Sequence, residues 1–387
     1  MNNYNTMLGQ ILPLINRSDF DRIVRETESD KFCKGFTTWT HFTVMAFAQI
    51  TDQHGLRSIQ DSLLQNRTSL YHLGLKANVN RSTLSYANNS RNPLVFEKIF
   101  YQLLSTLSRS ERRKFGRKFY AVDATTISLN MNDFSWAEYK TTKSGVKIHM
   151  QYDVDDSTPE YLFITNAAEH ENATLKSIKL KKGDIVAFDK GYNNYEQFQT
   201  LTDNGVYFVT RLKDNAKYAV IERRPRRGKG VSSDQIIRFN GKQTGKKCSC
   251  ELRRIRIHDK KSGSTVVLLT NMKRWSAENI GKMYRARWNI ETFFKTMKQN
   301  LRIKKFYGQT KNAVKTQIWI ALIVYLLFLK LKEACRNTTK SFTHFMSELK
   351  VVIFQRRSMQ DWMNGTTVPP PEQQLTDFMQ LQLAFGR

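Results

Sequence analysis

The chain has 387 residues, 40% of them hydrophobic and 12% aromatic, so it is long enough for two or three folded units and too apolar to be disordered. Its net charge of +28 and pI near 10.0 suit a polyanionic partner, of which nucleic acid is the commonest. Cys33, Cys248, Cys250 and Cys335 form no CxxC pair, which argues against a zinc site or disulfide scaffold and reads as reduced thiols of a cytosolic protein. The first residues lack a basic stretch followed by a long apolar run, so no signal peptide is expected. The most apolar run, residues 318–329, is shorter than the roughly 20 residues a bilayer span needs and reads as a core helix; no membrane partner is expected.

Residues 1–110 read as a helical domain. "THFTVMAFAQI" and "GLRSIQDSLL" carry apolar residues at helical spacing. In "SLYHLGLKANVNRSTLSYANNSRN", Leu73-Gly74 supplies a turn and Ser82 caps a second helix. Short helix, turn and polar helix make a helix-turn-helix-like pattern, with Arg81, Thr83, Ser85 and Asn88 as candidate DNA contacts. An ordinary surface helix rich in Ser and Asn fits the same residues.

From residue 117 the period changes to that of strands. "KFYAVDATTISL" reads as a strand ending near Asp123, and "VKIHMQYDV" and "YLFITNA" as two more. "DIVAFDKGY" is a short apolar run closing on Asp189, followed by a helix, "NNYEQFQTLTDNG", and a strand, "VYFVTRL". This order predicts an α/β fold, a mixed sheet with helical cover. Residues 216–270 read as a basic β-rich insertion that interrupts a sheet domain at 111–215 and 271–350. A long helix is expected over 277–300, an apolar one over 311–335 and another over 338–360, with 351–387 counted as a C-terminal tail broken by "NGTTVPPPEQQ".

The helix containing "YRARWNIETFFKTMKQN" has an unusual stripe. At the α-helical step, Tyr284, Arg287, Glu291, Lys295 and Lys298 fall within roughly 40° of one line. Trp288, Ile290, Phe293, Phe294 and Met297 fill most of the rest and predict a largely buried helix. A buried face that concentrates a phenol, cations and one carboxylate calls for an anionic partner, and phosphate beside a metal site is one. Surface ion pairing is the ordinary alternative.

Asp123 and Asp189 close apolar strands, and carboxylates at the exits of neighbouring strands can converge. With Glu291 they would form the hard oxygen set that Mg²⁺ takes. Two such ions roughly 4 Å apart stabilise both the attacking and the leaving oxygen in phosphodiester chemistry. Taken singly, Asp133, Asp153, Asp155, Asp156 or Asp184 would serve as well.

Tyr284-x2-Arg287-x3-Glu291-x6-Lys298 matches the Y-x2-R-x3-E-x6-K signature of bacterial insertion-sequence DDE transposases of the type named for insertion sequence four. "AVDATTISL" and "AFDKGYNNY" resemble that family's two Asp motifs, and the likeness spans roughly residues 35–345. The resemblance implies a ribonuclease-H-like catalytic domain with Asp123, Asp189 and Glu291 as a triad holding two Mg²⁺ ions, for which Mn²⁺ can substitute. It implies that Tyr284, Arg287 and Lys298 bind DNA phosphate. It further implies binding of the element's terminal inverted repeats, cleavage at its ends and joining of the 3′ hydroxyls to target DNA. Such an enzyme would work in the bacterial cytoplasm near the nucleoid, as a homodimer once two DNA ends are bound. A ribonuclease-H-like nuclease that never joins strands, and a non-catalytic DNA-binding protein derived from a transposase, are the rival readings.

Overall fold

The computed structural model describes residues 5–70, 73, 75, 79–109, 113–140, 143–168, 177–258, 263–335 and 339–365. Two compact units emerge: Met1–Leu107 with Asn312–Arg387, and Ser108–Lys311.

The first unit is helical. Its helix Thr38–Ile50 begins where the Thr37 hydroxyl accepts from Thr40 N, and it is buried along most of its length. The helix Lys311–Ala334, in this unit from Asn312 onward, is apolar on nearly every side. Such a helix must be wrapped rather than laid on a surface. Trp319 packs on Phe100 at 5.4 Å between ring centroids, and Phe328 on Phe342 and Phe345 at 5.2 and 4.9 Å. From residue 312 onward the chain packs with the N-terminal helices, which supply this wrapping. At 24 residues the helix outruns the apolar stretch read from sequence and is long enough to cross a bilayer, but 83% of its most apolar window is buried in the protein. Residues 351–365 of the expected tail continue the fold, with Trp362 4% exposed and packed against Phe345; the rest of that tail lies outside the described residues.

The helix-turn-helix-like segment forms the helices Leu56–Gln65, Arg67–Leu70 and Arg81–Ser90. Gly74 of the expected turn lies outside the described residues. Ser82 is not the cap; Asn80 holds that position, and Arg81 N donates to Gln60 Oε1 at 3.1 Å. Arg81 and Thr83 are exposed and Ser85 half-buried. Asn88 must be corrected, since it is 1% exposed and its Oδ1 lies 2.8 Å from His41 Nε2. Its Oδ1 pairs inside the unit, whereas Tyr86, two residues earlier, is 73% exposed.

Burial, with the Arg91 charge beside it, pushes His41 down to about 3, so the folded chain keeps it neutral. Unfolded, it protonates near pH 6.5. Between those values the unfolded state binds more protons, so stability falls as pH falls, by about 1.4 kcal/mol per pH unit. Urea unfolding at pH 7 and pH 5 should show a loss of about 2 kcal/mol from this group. His41→Gln should flatten the slope between those pH values; an unchanged slope would remove His41 as its source.

The second unit holds a ten-stranded sheet. Its strands are β1 (Phe119–Leu129), β2 (Glu138–Lys140), β3 (Lys143–Asp153), β4 (Thr158–Asn166), β5 (Ile185–Phe188), β6 (Tyr207–Arg211), β7 (Tyr218–Arg223), β8 (Val231–Phe239), β9 (Leu252–His258) and β10 (Thr265–Thr270). The order is β2-β3-β1-β5-β6-β10-β9-β8-β7, with β4 on β3. β5 pairs in parallel with β1 and β6 and is buried throughout, as central parallel strands are. Phe188, Phe198 and Phe208 stack over it, Phe198 and Phe208 at 5.0 Å. The basic segment at 216–270 is not separate from this sheet. β10 pairs with β6, Leu268 opposite Arg211, and carries β9, β8 and β7 as a continuation. The reason is the apolar "TVVLLT" strand, which gains burial by joining β6.

Candidate active site

Strand register brings the first two acids together. Val122 of β1 lies opposite Phe188 of β5 in the parallel ladder, so Asp123 and Asp189 are the residues that follow that pair. β1 does not end at Asp123 as expected. It runs on to Leu129 against β3, whereas β5 stops at Phe188 and Asp189 opens the turn Lys190–Tyr192.

The expected long helix over 277–300 is two helices, Ala277–Ala286 and Trp288–Asn300, meeting at Arg287. The first starts where the Ser276 hydroxyl accepts from Asn279 N. The second packs across β1. Ile290, Phe293, Phe294 and Met297 are buried, but Trp288, expected inside, is 58% exposed. Arg287 reaches both acids near it. Its Nη1 donates to Asp123 Oδ2 at 2.9 Å and its Nη2 to Glu291 Oε1 at 2.6 Å. The Tyr284 hydroxyl donates to Asp189 Oδ1 at 3.4 Å. Lys298 Nζ donates to the Thr126 carbonyl at 2.9 Å and remains half-buried.

Tyr284, Asp189, Arg287, Asp123 and Glu291 are thus linked by successive contacts, while Lys298 contacts β1 three residues further on, at Thr126. Arg287 is only 4% exposed, and its guanidinium is engaged with the carboxylates of Asp123 and Glu291. Sequence reading missed Arg211, whose guanidinium lies 5.8 Å from the Tyr284 ring centroid. Its place at the end of β6, beside the strand that delivers Asp189, was the available signal.

Burial raises the Asp123 carboxyl to about 6, against the Ala124 amide and Arg287, while Glu291 and Asp189 add to the rise. Burial likewise raises the Tyr284 phenol, which keeps it a hydrogen-bond donor at neutral pH. Lys298 is lowered by burial and by Lys304.

Asp123, Asp189 and Glu291 offer only hard oxygen donors, and a buried carboxylate held short of its preferred charge gains from a cation. That chemistry fits a divalent ion. Among the described residues, however, no three His, Cys, Asp or Glu stand close enough to share one. Arg287 lies between two of the acids, bridging Asp123 and Glu291.

Residues 114–327 match the family model "Transposase DDE domain", which takes in all three acids. This chain belongs to the DDE transposase family. Residues 3–76 of the transposase match a second model, "Domain of unknown function (DUF4372)". A putative transposase from Sinorhizobium fredii is 32% identical over 281 residues, 71% of this chain and 78% of that protein. A probable transposase for insertion sequence element IS5377 of Geobacillus stearothermophilus is 27% identical, over 70% of this chain and 72% of its own length. A putative transposase for element IS4SA of Synechocystis is 24% identical over 77% of this chain and 87% of its own length. The transposase thus falls among insertion-sequence transposases.

Proposed function

We propose that this transposase is of the insertion-sequence-four type, with a ribonuclease-H-like catalytic unit that cuts the ends of its own element and joins the freed 3′ hydroxyls to target DNA. The observation that supports the reading is the register of Val122 with Phe188, after which Asp123 and Asp189 follow on neighbouring segments, with the helix bearing Glu291 packed on β1.

Asp123, Asp189 and Glu291 would hold Mg²⁺, or Mn²⁺ in its place, which when bound activates the attacking oxygen and steadies the leaving one. The protein's own residues do the rest. Tyr284 orients the Asp189 carboxylate through its hydroxyl. Ala124 N fixes the other acid by donating to Asp123 Oδ1 at 2.8 Å. Lys298 spends one donor on Thr126 and has two left, enough to grip a backbone phosphate at the cut. The exposed Arg81 and Thr83, with Ser85, offer a DNA contact in the other unit; Tyr86 replaces Asn88 in that set. Two ends must be held for joining, so the DNA complex is a homodimer.

A charge-assisted phosphate contact contributes roughly 1.5–3 kcal/mol. Lys298→Ala should therefore weaken binding to cut ends about ten- to a hundredfold and slow cleavage, with the Mg²⁺ requirement unchanged. Unaltered end binding would leave Lys298 as a surface residue. The function itself is tested with end-labelled duplexes in Mg²⁺. One that carries the element's terminus should be cut at the junction and one without it should stay whole; equal cutting of both would make the protein a general nuclease.

A further inference from the structure

Arg287 is a buried cation of the catalytic unit, 4% exposed. Its fork is divided between two acids on different elements, Asp123 on β1 and Glu291 one helical turn away. The oxygens it holds are oxygens that a divalent ion would need. An ion requires its oxygens at roughly 2.1 Å, and a guanidinium hydrogen bond along the same lone pairs obstructs that approach. Asp123 has little slack elsewhere, since its other oxygen accepts from Ala124 N. A guanidinium and a divalent ion at neighbouring positions also repel each other strongly in a half-buried site.

Arg287 sits where the side chain has somewhere to go. It lies at the break between two helices, where the backbone bonds run three residues back, Arg287 N to Tyr284 O at 3.3 Å and Ile290 N to Arg287 O at 3.2 Å. Its guanidinium carbon is already 5.7 Å from the ring centroids of both Tyr284 and the exposed Trp288. Aromatic faces are a favourable second seat for a guanidinium.

We propose that Arg287 is an internal counter-ion that competes with divalent cations for Asp123 and Glu291, so that loading the centre requires its guanidinium to release at least one of them. The inference rests on the reading of Asp123, Asp189 and Glu291 as a cation-binding set. It gives Arg287 two tasks in sequence: it keeps the acids compensated, and once released it offers a charge to the DNA phosphate. A residue that merely positioned the two acids would behave in the opposite way, because its loss would loosen the cation set.

The test is calorimetric titration of Mn²⁺ into the full-length chain without DNA. Arg287→Gln should bind Mn²⁺ about ten- to a hundredfold more tightly than the wild type, the factor of one charge-assisted contact removed from the competition. Arg287→Lys, which keeps the charge but can reach only one carboxylate, should fall between them. Equal or weaker binding by Arg287→Gln overturns the inference. Should that variant fail to fold, Arg287→Lys decides alone: affinity at or below the wild type's overturns it. Asp123→Asn separates the two levels. If it loses the Mn²⁺ isotherm while Arg287→Gln leaves it unchanged, only the role of Arg287 fails. If Asp123→Asn binds Mn²⁺ as the wild type does, the cation-binding set fails and the competition with it.

Discussion

Asp189→Asn is expected to lower cleavage at element ends on the order of a thousandfold while leaving end binding close to normal. The substitution keeps the shape of the side chain and removes one anionic oxygen donor. A metal-held charge contributes several kcal/mol to the transition state, and each 1.36 kcal/mol is a factor of ten. Asp189 is a cleaner probe than the other acids because its described contact is a single long bond from Tyr284 at 3.4 Å. Asp123→Asn and Glu291→Gln should be as inactive, but each also alters a bond to Arg287, so stability must be measured alongside. Binding is best followed in Ca²⁺ and cleavage in Mg²⁺. Near-normal cleavage by any of the three would remove that residue from the centre.

Arg253→Ala is expected to destabilise the catalytic unit by about 3–5 kcal/mol, the cost of stranding one partner of a buried ion pair. Arg253 and Asp234 are 4% and 5% exposed, joined by bonds of 2.8 and 2.6 Å. The remaining nitrogen of Arg253 donates to the carbonyls of Met272, Lys273 and Trp275. It thereby ties β8 and β9 to the turn that precedes the helix Ala277–Ala286, and so to the path that leads to Arg287. Urea unfolding measures the loss. A double change, Asp234→Leu with Arg253→Met, should recover much of it, since two apolar groups leave no uncompensated charge. A cost below about 1 kcal/mol for Arg253→Ala would place the pair among weak surface bridges.

The site was more legible in the sequence than the architecture around it, for physical reasons. Asp123 and Asp189 each follow an apolar run, and a strand carries its register with it, so their meeting needed only that the two strands be neighbours. The stripe of Tyr284, Arg287, Glu291 and Lys298 was visible because helical periodicity is local. The break at Arg287 was not: no Gly or Pro marks it, and it accompanies a bond to a residue 164 positions away. Nor was the joining of β10 to β6, because strand pairing depends on partners distant in sequence. Asn88 misled for the same reason. Its helix has the composition of a surface helix, yet its side chain pairs with His41, 47 residues earlier.

On the proposed reading, three carboxylates of one catalytic unit would cut DNA and join it. The most direct measurement incubates the purified chain with labelled, pre-cut element ends and a supercoiled target plasmid in Mg²⁺. The account predicts labelled ends covalently joined to the plasmid, with no product in EDTA or with Asp189→Asn. Joining that persists in Asp189→Asn, or cutting with no joined product at any Mg²⁺ concentration, would contradict it.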